Sequence, residues 1–119
     1  MKKIKNFING SSQSYSKNIL PVYDPSKDEI IAEVVLSDKI DYEKIIQSST
    51  EAFLKWSEVT PLKRSRVLAK YKDLIEKNIT ELAKIVSSEH GKTLEDARGS
   101  VIRGLEVVEF ASGIPHLLK

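Results

Sequence analysis

The sequence predicts an α/β fold in which short antiparallel strands come first and about four helices follow. In the first third of the chain, turn residues separate short β-branched and apolar runs, a pattern typical of strands. From Ser37 onward the apolar residues recur with the period of a helix. Capping residues and a glycine then mark the boundaries between successive helices. We therefore divide the chain into a strand segment, residues 1–36, and a helical segment, residues 37–119.

Turn residues locate the strands. Asn9-Gly10 is the pair that most readily takes the two positive φ angles of a type I′ hairpin turn. A second turn is predicted at 24–28, where Pro25 suits the second turn position. The strands predicted beside it are Ile19–Tyr23 and Glu29–Leu36. Strands this short cannot bury their own faces, so they need a partner element.

Apolar spacing and capping residues locate the helices. Thr60 followed by Pro61 is an N-cap with proline at the first helical position, and Asn78 or Thr80 is expected to cap the third helix. The last helix is expected to run from about Thr93 to Gly113. The stripes predicted for the first three helices are Ile45, Ile46, Ser49, Ala52, Phe53 and Trp56; then Val67, Leu68, Tyr71, Leu74 and Ile75; then Ile79, Leu82, Ala83 and Val86.

The segment Gly91-Lys92-Thr93 could end a phosphate-binding loop or mark a junction between two helices. A phosphate loop of the Walker type needs a second glycine five positions earlier and a strand leading in. That earlier position is Val86, on the apolar face of a helix. We therefore interpret Gly91 as the left-handed residue that closes one helix and Thr93 as the N-cap of the next.

Composition excludes several classes of protein and site. The chain has 119 residues, 40% hydrophobic and 30% charged, as an ordinary globular domain has. No cysteine is present, which excludes disulfides, thiolate metal sites and a thiol nucleophile within this chain. No apolar run approaches the ~20 residues of a membrane span, and Met1–Lys5 does not begin a secretory signal. We expect a cytoplasmic protein without a membrane partner.

No group of residues predicts a metal site or an acid–base pair. His90 and His116 are the two histidines, and no carboxylates accompany them at metal-ligand spacing. We interpret them as solvated or capping side chains. The acidic groups at 41–43 and 95–96 fall in first helical turns, where negative charge offsets the helix dipole. We expect them to be structural, with no catalytic residue among them.

One basic cluster lies between Lys63 and Lys72. Lys63, Arg66 and Lys70 share the side of the helix opposite its apolar residues. A solvated helix face is the simpler interpretation, and because the net charge is only +2 we expect no nucleic-acid partner. The alternative is a small free-standing helical binding module that uses this face to contact nucleic acid or an acidic partner.

The last helix is apolar on two sides. Its main apolar face is predicted to contain Leu94, Ala97, Val101, Gly104, Leu105, Val108 and Ala111. Val107 and Phe110 lie nearly opposite, and Arg103 precedes them by four and seven residues on the same side. A helix of this kind is normally buried, and the rest of the chain supplies little cover. We therefore expect further protein to follow Lys119.

Several segments of the chain resemble the N-terminal part of aldehyde dehydrogenases. They are "FING", "VYDPSKDEIIAEV" and the long run from "AFLKWSEVTP" to "EHGKTLEDARGSVIRGLEVVEFA". Within that superfamily, Arg103-Gly104-Leu105 with Val107-Val108-Glu109 is most similar to the acylating methylmalonate-semialdehyde dehydrogenases. The chain departs from many relatives at Lys27-Asp28, where they have a glycine, and this bears on turn type alone.

The resemblance implies an enzyme of which this chain is one part. Such enzymes oxidise malonate or methylmalonate semialdehyde with NAD, pass the acyl group from a cysteine to coenzyme A, and release carbon dioxide. The resemblance places their catalytic cysteine, oxyanion asparagine and NAD-binding residues beyond the similar region. We therefore expect a fragment that leads into an absent dinucleotide-binding domain, is inactive alone, binds neither NAD nor coenzyme A, and forms a homo-oligomeric dimer or tetramer when full length.

The resemblance also implies a role for Arg103. The last helix borders the substrate tunnel in the family, and Ile102 or Arg103 would face it. A substrate with a carboxylate at its far end requires a cation there, and a guanidinium binds a carboxylate through two hydrogen bonds. Arg103 is therefore the predicted substrate-binding residue. A structural ion pair between Arg103 and an acidic side chain is the alternative.

Overall fold

The elements follow one another in the predicted order, strands first and helices second. The structure is a computed structural model and describes residues 1–118. The strands are β1 (Lys2–Ile4), β2 (Asn6–Ile8), β3 (Ser11–Gln13), β4 (Ile19–Asp24) and β5 (Glu29–Val35). The helices are α1 (Lys39–Trp56), α2 (Pro61–Lys77), α3 (Ile79–His90) and α4 (Leu94–Ser112), followed by a short 3₁₀ helix (Ile114–Leu117).

The chain divides into two compact units, Met1–Glu58 and Val59–Lys119. The predicted division after residue 36 marks the change from strands to helices, whereas the compact units divide 22 residues later because α1 groups with the strands. The reason is local: hydrogen bonds join the first turn of α1 to the polar segment before β4.

In the first unit, β5 is the central strand of a three-stranded sheet. It pairs antiparallel with β4, as the sequence predicts, and parallel with β1, which the sequence did not predict. Strand β4 is at an edge of the sheet, a position that tolerates Pro21 because an edge strand does not need every backbone N–H. Ala32 of β5 is buried, and a register shift follows Val22 in β4.

The predicted hairpin turn at Asn9-Gly10 is confirmed. Strands β2 and β3 pair antiparallel with Ile8 opposite Ser11, which leaves two residues in the turn. Both have positive φ, 48° at Asn9 and 76° at Gly10, as a type I′ turn requires. Ile8 beside the turn is buried.

The turn between β4 and β5 depends on a buried aspartate. The Asp24 carboxylate accepts the backbone N–H of Ser26 at 2.9 Å, and its side chain is 6% exposed. Asp28 closes the turn with φ of 57°, in the left-handed region that glycine adopts most easily. Aspartate is one of the few other residues that visits this region routinely, so the turn forms without a glycine.

Helix α1 begins with a reciprocal capping box. Asp38 accepts the backbone N–H groups of Ile40 and Asp41, and the Asp41 carboxylate accepts the backbone N–H of Asp38. The apolar stripe predicted for α1 is largely exposed in this structure, since Phe53 is 64% exposed and Ile46 47% exposed. Within the first unit, no element packs extensively against that stripe.

In the second unit, α4 packs against both α2 and α3. The most deeply buried side chains of these helices are small: Ala83 of α3 is 1% exposed and Ala97 of α4 is fully buried. Ile79 and Leu105 complete the buried apolar side chains of this unit. The predicted main face of α4 and the predicted stripe of α3 are confirmed at these positions.

The inward side of α2 differs from the predicted one. Leu68 and Ile75 are partly buried as expected, but Val67, Tyr71 and Leu74 are each more than half exposed. The side that contacts α4 carries Ser65 and Lys72 instead, through a hydrogen bond to the Ser112 carbonyl and an ion pair with Glu109. Hydrophobic spacing did not predict these polar contacts, because it carries no information about Ser65 or Lys72.

Candidate functional site

Arg103 lies in the middle of α4 with its guanidinium exposed. Its Nη2 donates a hydrogen bond to the Ser100 hydroxyl at 3.1 Å. Among residues 1–118, no carboxylate comes within ion-pair distance of this guanidinium. The alternative prediction of a structural ion pair for Arg103 therefore has no partner in the described part of the chain.

The Ser100 hydroxyl is also bonded to a second cation. Lys92, in the loop between α3 and α4, donates from Nζ to Ser100 Oγ at 3.0 Å. Ser100 in turn donates to the Asp96 carbonyl one helical turn earlier, at 3.2 Å. One oxygen thus brings a lysine and an arginine together near the start of α4.

The helix junction that carries Lys92 is confirmed as predicted. Gly91 has φ of 78°, the left-handed conformation that closes α3, and Thr93 accepts the backbone N–H of Asp96 as the N-cap of α4. The Ser87 hydroxyl donates to the Lys92 carbonyl at 2.7 Å. The reciprocal bond that would complete a capping box occurs at α1 and not here.

The same side of α4 carries exposed apolar side chains. Val107 and Phe110, which share the side of Arg103, are each 68% exposed. Gly99 also lies close to the arginine, since a Cβ there would meet Arg103 Nη1 at 3.8 Å, an ordinary contact distance. A cation beside apolar side chains is an arrangement suited to a small molecule with an anionic end and an aliphatic body.

Asp41 is the most buried charged residue in the described chain, at 0% exposed. Its carboxylate accepts the backbone N–H groups of Tyr15 at 2.8 Å, Ser16 at 3.0 Å and Asp38 at 3.3 Å, and the Asn6 amide at 3.5 Å. The hydrogen bond from Tyr15 contributes most to holding the pKa of Asp41 below its ordinary 3.8, against the opposing effect of burial. The prediction of a structural role for Asp41 agrees with these contacts.

The predicted basic cluster is partly neutralised in the structure. Lys72 forms ion pairs with Glu76 at 3.7 Å and with Glu109 at 3.5 Å. The Glu76 charge is the main reason that the pKa of Lys72 lies above 10.5. Lys63, Arg66 and Lys70 remain exposed, as predicted. No observation in the described residues favours a nucleic-acid or acidic-protein surface over a solvated helix face.

The side chains of residues 1–118 do not form a metal site. No three acidic, histidine or cysteine side chains in this range are grouped so that they could hold a metal ion. His90 and His116 are both exposed. No helix in the described range is long and apolar enough to cross a membrane.

The link between Lys92, Ser100 and Arg103 was not predicted from the sequence. Ser100 and Arg103 are three residues apart on one helix, so their contact is visible in the spacing. Lys92 is eight residues before Ser100 and outside the helix, so only the path of the loop brings it near. Asp41 was noticed as a first-turn acid, but its bonds to Tyr15 and Ser16 span 25 residues or more.

A family profile and individual dehydrogenase sequences both match this chain. The profile of the aldehyde dehydrogenase family matches residues 11–119. The chain is 44% identical over 116 residues to malonate-semialdehyde dehydrogenase 2 of Bacillus cereus (strain ZK / E33L), covering 97% of this chain and 24% of that protein. It is 41% identical over 119 residues to malonate-semialdehyde dehydrogenase 1 of Shouchella clausii, covering 99% and 24%.

Solved structures agree with the sequence comparison. The chain superposes with a TM-score of 0.96 and 38% identity on a structure named as a methylmalonate-semialdehyde dehydrogenase from Sinorhizobium meliloti 1021, complexed with NAD. A methylmalonate-semialdehyde dehydrogenase from Oceanimonas doudoroffii gives a TM-score of 0.96 and 36% identity. Each comparison covers 100% of this chain and 24% of the other, so the chain spans about a quarter of the proteins it matches. The chain belongs to the aldehyde dehydrogenase family.

Proposed function

We propose that this chain forms the N-terminal part of an NAD-dependent, coenzyme A-acylating malonate- or methylmalonate-semialdehyde dehydrogenase. The observation that carries the proposal is the match over the whole chain, at 36–38% identity and a TM-score of 0.96, to two methylmalonate-semialdehyde dehydrogenases. In this proposal the whole enzyme is a cytoplasmic homo-oligomer. It converts its substrate to acetyl- or propionyl-coenzyme A and carbon dioxide.

The exposed apolar side chains support a role as one segment of a larger enzyme. Phe53, Leu54, Val107 and Phe110 are each more than 60% exposed, on α1 and α4. Contiguous apolar surface on a folded protein normally marks a contact with other protein or with a ligand. The proposal assigns the α1 face to a contact with the remaining three quarters of the dehydrogenase, and the α4 face beside Arg103 to the substrate.

The described residues do not fit NAD or coenzyme A. The loop at Gly91-Lys92-Thr93 is not glycine-rich, and the Thr93 hydroxyl already accepts an N–H group at the start of α4. The chain also has no cysteine to form a thioester. In the proposal, both cofactors and the nucleophile therefore belong to other segments, and this chain is inactive alone.

Arg103 is the residue of this chain that we assign to the substrate. A guanidinium without a carboxylate partner among residues 1–118, beside exposed Val107 and Phe110, fits a short aliphatic molecule with a terminal carboxylate. Malonate semialdehyde and methylmalonate semialdehyde are molecules of this kind. Arg103 would bind the end opposite the aldehyde and so orient the reacting carbon.

The proposed reaction is tested on the product of the complete reading frame that encodes this chain. The purified protein should reduce NAD in the presence of malonate or methylmalonate semialdehyde, and should form acyl-coenzyme A only when coenzyme A is added. Release of the free acid in place of the thioester would reject the acylating reaction. A reading frame that ends at Lys119 and gives an inactive product would reject the whole-enzyme proposal.

The role of Arg103 is tested in a chimera that does not depend on that reading frame. Residues 1–119 replace the matching segment of the Bacillus cereus malonate-semialdehyde dehydrogenase, with which this chain is 44% identical. In the chimera, Arg103→Leu should raise KM for malonate semialdehyde by about tenfold or more, because a charge-assisted contact to the carboxylate is lost. KM for propanal, which has the same carbon chain and no carboxylate, should change less than about twofold. An equal rise in KM for both aldehydes would show that Arg103 has a structural role.

A further inference from the structure

We propose that Asn9 is a site of spontaneous deamidation, at which the backbone nitrogen of Gly10 converts the side-chain amide through a cyclic imide into aspartate or isoaspartate. The site lies in the two-residue turn between β2 and β3. The reaction does not depend on the function proposed above, because it requires only this turn and solvent water.

The reaction needs water as its only co-reactant. The Gly10 nitrogen loses its proton and bonds to Cγ of Asn9, the Cγ–Nδ2 bond breaks, and ammonia leaves with that proton. Water then opens the cyclic imide. Opening at Cγ gives aspartate, whereas opening at the Asn9 main-chain carbonyl gives isoaspartate, in which the backbone runs through Cβ and Cγ. No atom is oxidised or reduced.

The attacking nitrogen is unobstructed. Gly10 has no Cβ, and a Cβ built at this position would meet no atom within 4 Å, so the space beside its nitrogen is open. Asn9 and Gly10 are both exposed, so water reaches both reacting groups. The turn therefore offers no steric protection against the reaction.

Neither reacting group is held by a hydrogen bond. The side-chain hydrogen bonds at this end of the hairpin go to the Ile8 carbonyl, from the Ser11 hydroxyl at 3.2 Å and the Gln13 amide at 3.1 Å. Within residues 1–118, no hydrogen bond involves the Asn9 amide or the Gly10 N–H. The amide and the nitrogen are thus free to approach each other.

The hairpin that carries the turn is short enough to open. Strands β2 and β3 have three residues each and form a two-stranded sheet of their own. A two-stranded hairpin is marginally stable by itself, so its tip opens locally more often than a larger sheet does. The reaction uses such openings, because Asn9 must rotate about its Cα–C bond before the Gly10 nitrogen can reach Cγ.

The other three asparagines of the chain lack this combination of features. The residues that follow them are Phe7, Ile19 and Ile79. Each of these side chains crowds the nitrogen that would attack, most of all where the side chain is β-branched. The Asn6 amide also donates to the Ser37 hydroxyl at 2.8 Å, and the Asn78 amide donates to the Leu74 carbonyl at 2.7 Å. Deamidation should therefore be confined to Asn9.

The two products should affect the hairpin differently. Aspartate before glycine also favours a type I′ turn, so this product keeps the turn and adds a negative charge. Isoaspartate adds a carbon atom to the backbone, which no longer fits a two-residue turn between Ile8 and Ser11. Ile8 is buried beside the turn, so its packing should be lost in the isoaspartate form.

The test follows the purified product of the complete reading frame, whatever its length, during incubation at mildly alkaline pH. Trypsin cleaves after Lys5 and Lys17, so one peptide, residues 6–17, contains both Asn9 and Asn6. Mass spectrometry should show conversion of Asn9 to both products, while Asn6 in the same peptide keeps its amide. Digestion in heavy-oxygen water labels any product that forms during the digestion, which is then excluded.

The pH dependence of the rate tests the chemistry. The Gly10 nitrogen must lose its proton to attack, and its deprotonated fraction rises about tenfold per pH unit below its pKa. The rate of conversion should rise with pH to a similar extent, and a rate independent of pH would overturn the proposed attack. A synthetic peptide of residues 6–17 gives the rate without the fold. Full conversion of that peptide beside an unmodified Asn9 in the protein would overturn the site.

Two variants that keep the turn test the roles of the two residues. Asn9→Gly removes the amide but retains a residue pair that favours a type I′ turn, so the peptide should gain no mass. Gly10→Asp adds a side chain beside the attacking nitrogen and tolerates the left-handed conformation, so conversion of Asn9 should slow severalfold or more. An unchanged rate in Gly10→Asp would contradict the role of the open space at Gly10.

The effect of isoaspartate on the hairpin is measured after the products are separated by ion exchange. The reference is the variant Asn9→Asp, which has the same composition and a normal backbone. Amide hydrogen exchange in residues 6–13 should be faster in the isoaspartate form than in this variant. Equal exchange in the two proteins would overturn the predicted loss of the turn.

Discussion

The two compact units of this chain are stabilised by different means. Residues 1–58 contain two buried carboxylates, Asp24 and Asp41, and Asp41 receives N–H groups from two distant segments. Residues 59–118 are organised around small apolar side chains, of which Ala83 and Ala97 are the most deeply buried. The first unit uses a few directional bonds to a charge, and the second uses close helix packing.

The comparison shows why the two units differ in how sensitive they should be to single changes. A buried carboxylate that satisfies several N–H groups leaves all of them without partners when it is removed. A packed alanine contributes little by itself, but the space around it cannot accept a larger side chain. The first unit should therefore be destabilised when the Asp41 carboxylate is removed. The second unit should be destabilised when a buried alanine is replaced by a larger side chain.

The largest expected effect comes from Asp41→Ala. The backbone N–H groups of Tyr15 and Ser16 lose their acceptor, so their amide hydrogen-exchange protection should fall by about a hundredfold or more. The measurement is residue-level exchange by NMR on the 119-residue chain. Amides of α4 serve as the internal reference.

Glu43→Gln is the matched control for Asp41→Ala. Glu43 also lies in the first part of α1, but it is exposed and pairs with exposed Lys39 at 3.8 Å. Surface pairs of this kind contribute little, so protection of Tyr15 and Ser16 should stay within about twofold of the original. Equal loss of protection in both variants would contradict the central role of Asp41.

The next largest effect is expected from Ala97→Leu in the second unit. Ala97 of α4 is fully buried, and α4 packs against α2 and α3, so the larger side chain should destabilise this packing by ~1–3 kcal/mol. Ala69→Leu makes the same change at an exposed position of α2 and should have almost no effect. The readout is the exchange protection of α3 and α4 amides. An unchanged value in Ala97→Leu would show that the packing is loose.

The smallest effect is the acid dependence of the first unit. Since the pKa of Asp41 is lower in the folded chain than its ordinary 3.8, the ionised carboxylate stabilises the fold above that pH. That stabilisation should be constant from about pH 6 to pH 5 and be lost as the pH falls below 3.8 through the folded pKa. Exchange protection of Tyr15 and Ser16, corrected for intrinsic rates, measures it. Asp41→Asn should abolish this dependence, and a dependence that survives must come from another group.

Much of the fold could be predicted because its signals are local. The Asn9-Gly10 turn, the left-handed Gly91 and the Thr93 cap each depend on the conformational preferences of one or two residues. The candidate site could be predicted only in part. Arg103 was identified from its place on a half-apolar side of a helix and from a family resemblance, whereas Lys92 reaches the same site through a loop.

Predictions that depended on which helices and strands pack against each other were less successful. The α2 stripe at Val67 and Tyr71 follows hydrophobic spacing, but the helix directs Ser65 and Lys72 toward α4. The pairing of β1 with β5 is parallel and joins residues thirty positions apart, such as Lys2 and Ala32, and no turn residue specifies it. Periodicity defines which residues share a side of an element, but not which side meets another element.

The sequence alone determined the order of strands and helices, the turns and caps between them, and the membership of the chain in its family, because each depends on residue type and short-range spacing. Only the tertiary structure decided that Asp41 would be buried and that Lys92 and Arg103 would share the Ser100 hydroxyl. Hydrogen bonds between distant segments depend on the path of the whole backbone. That path results from the packing of all elements together.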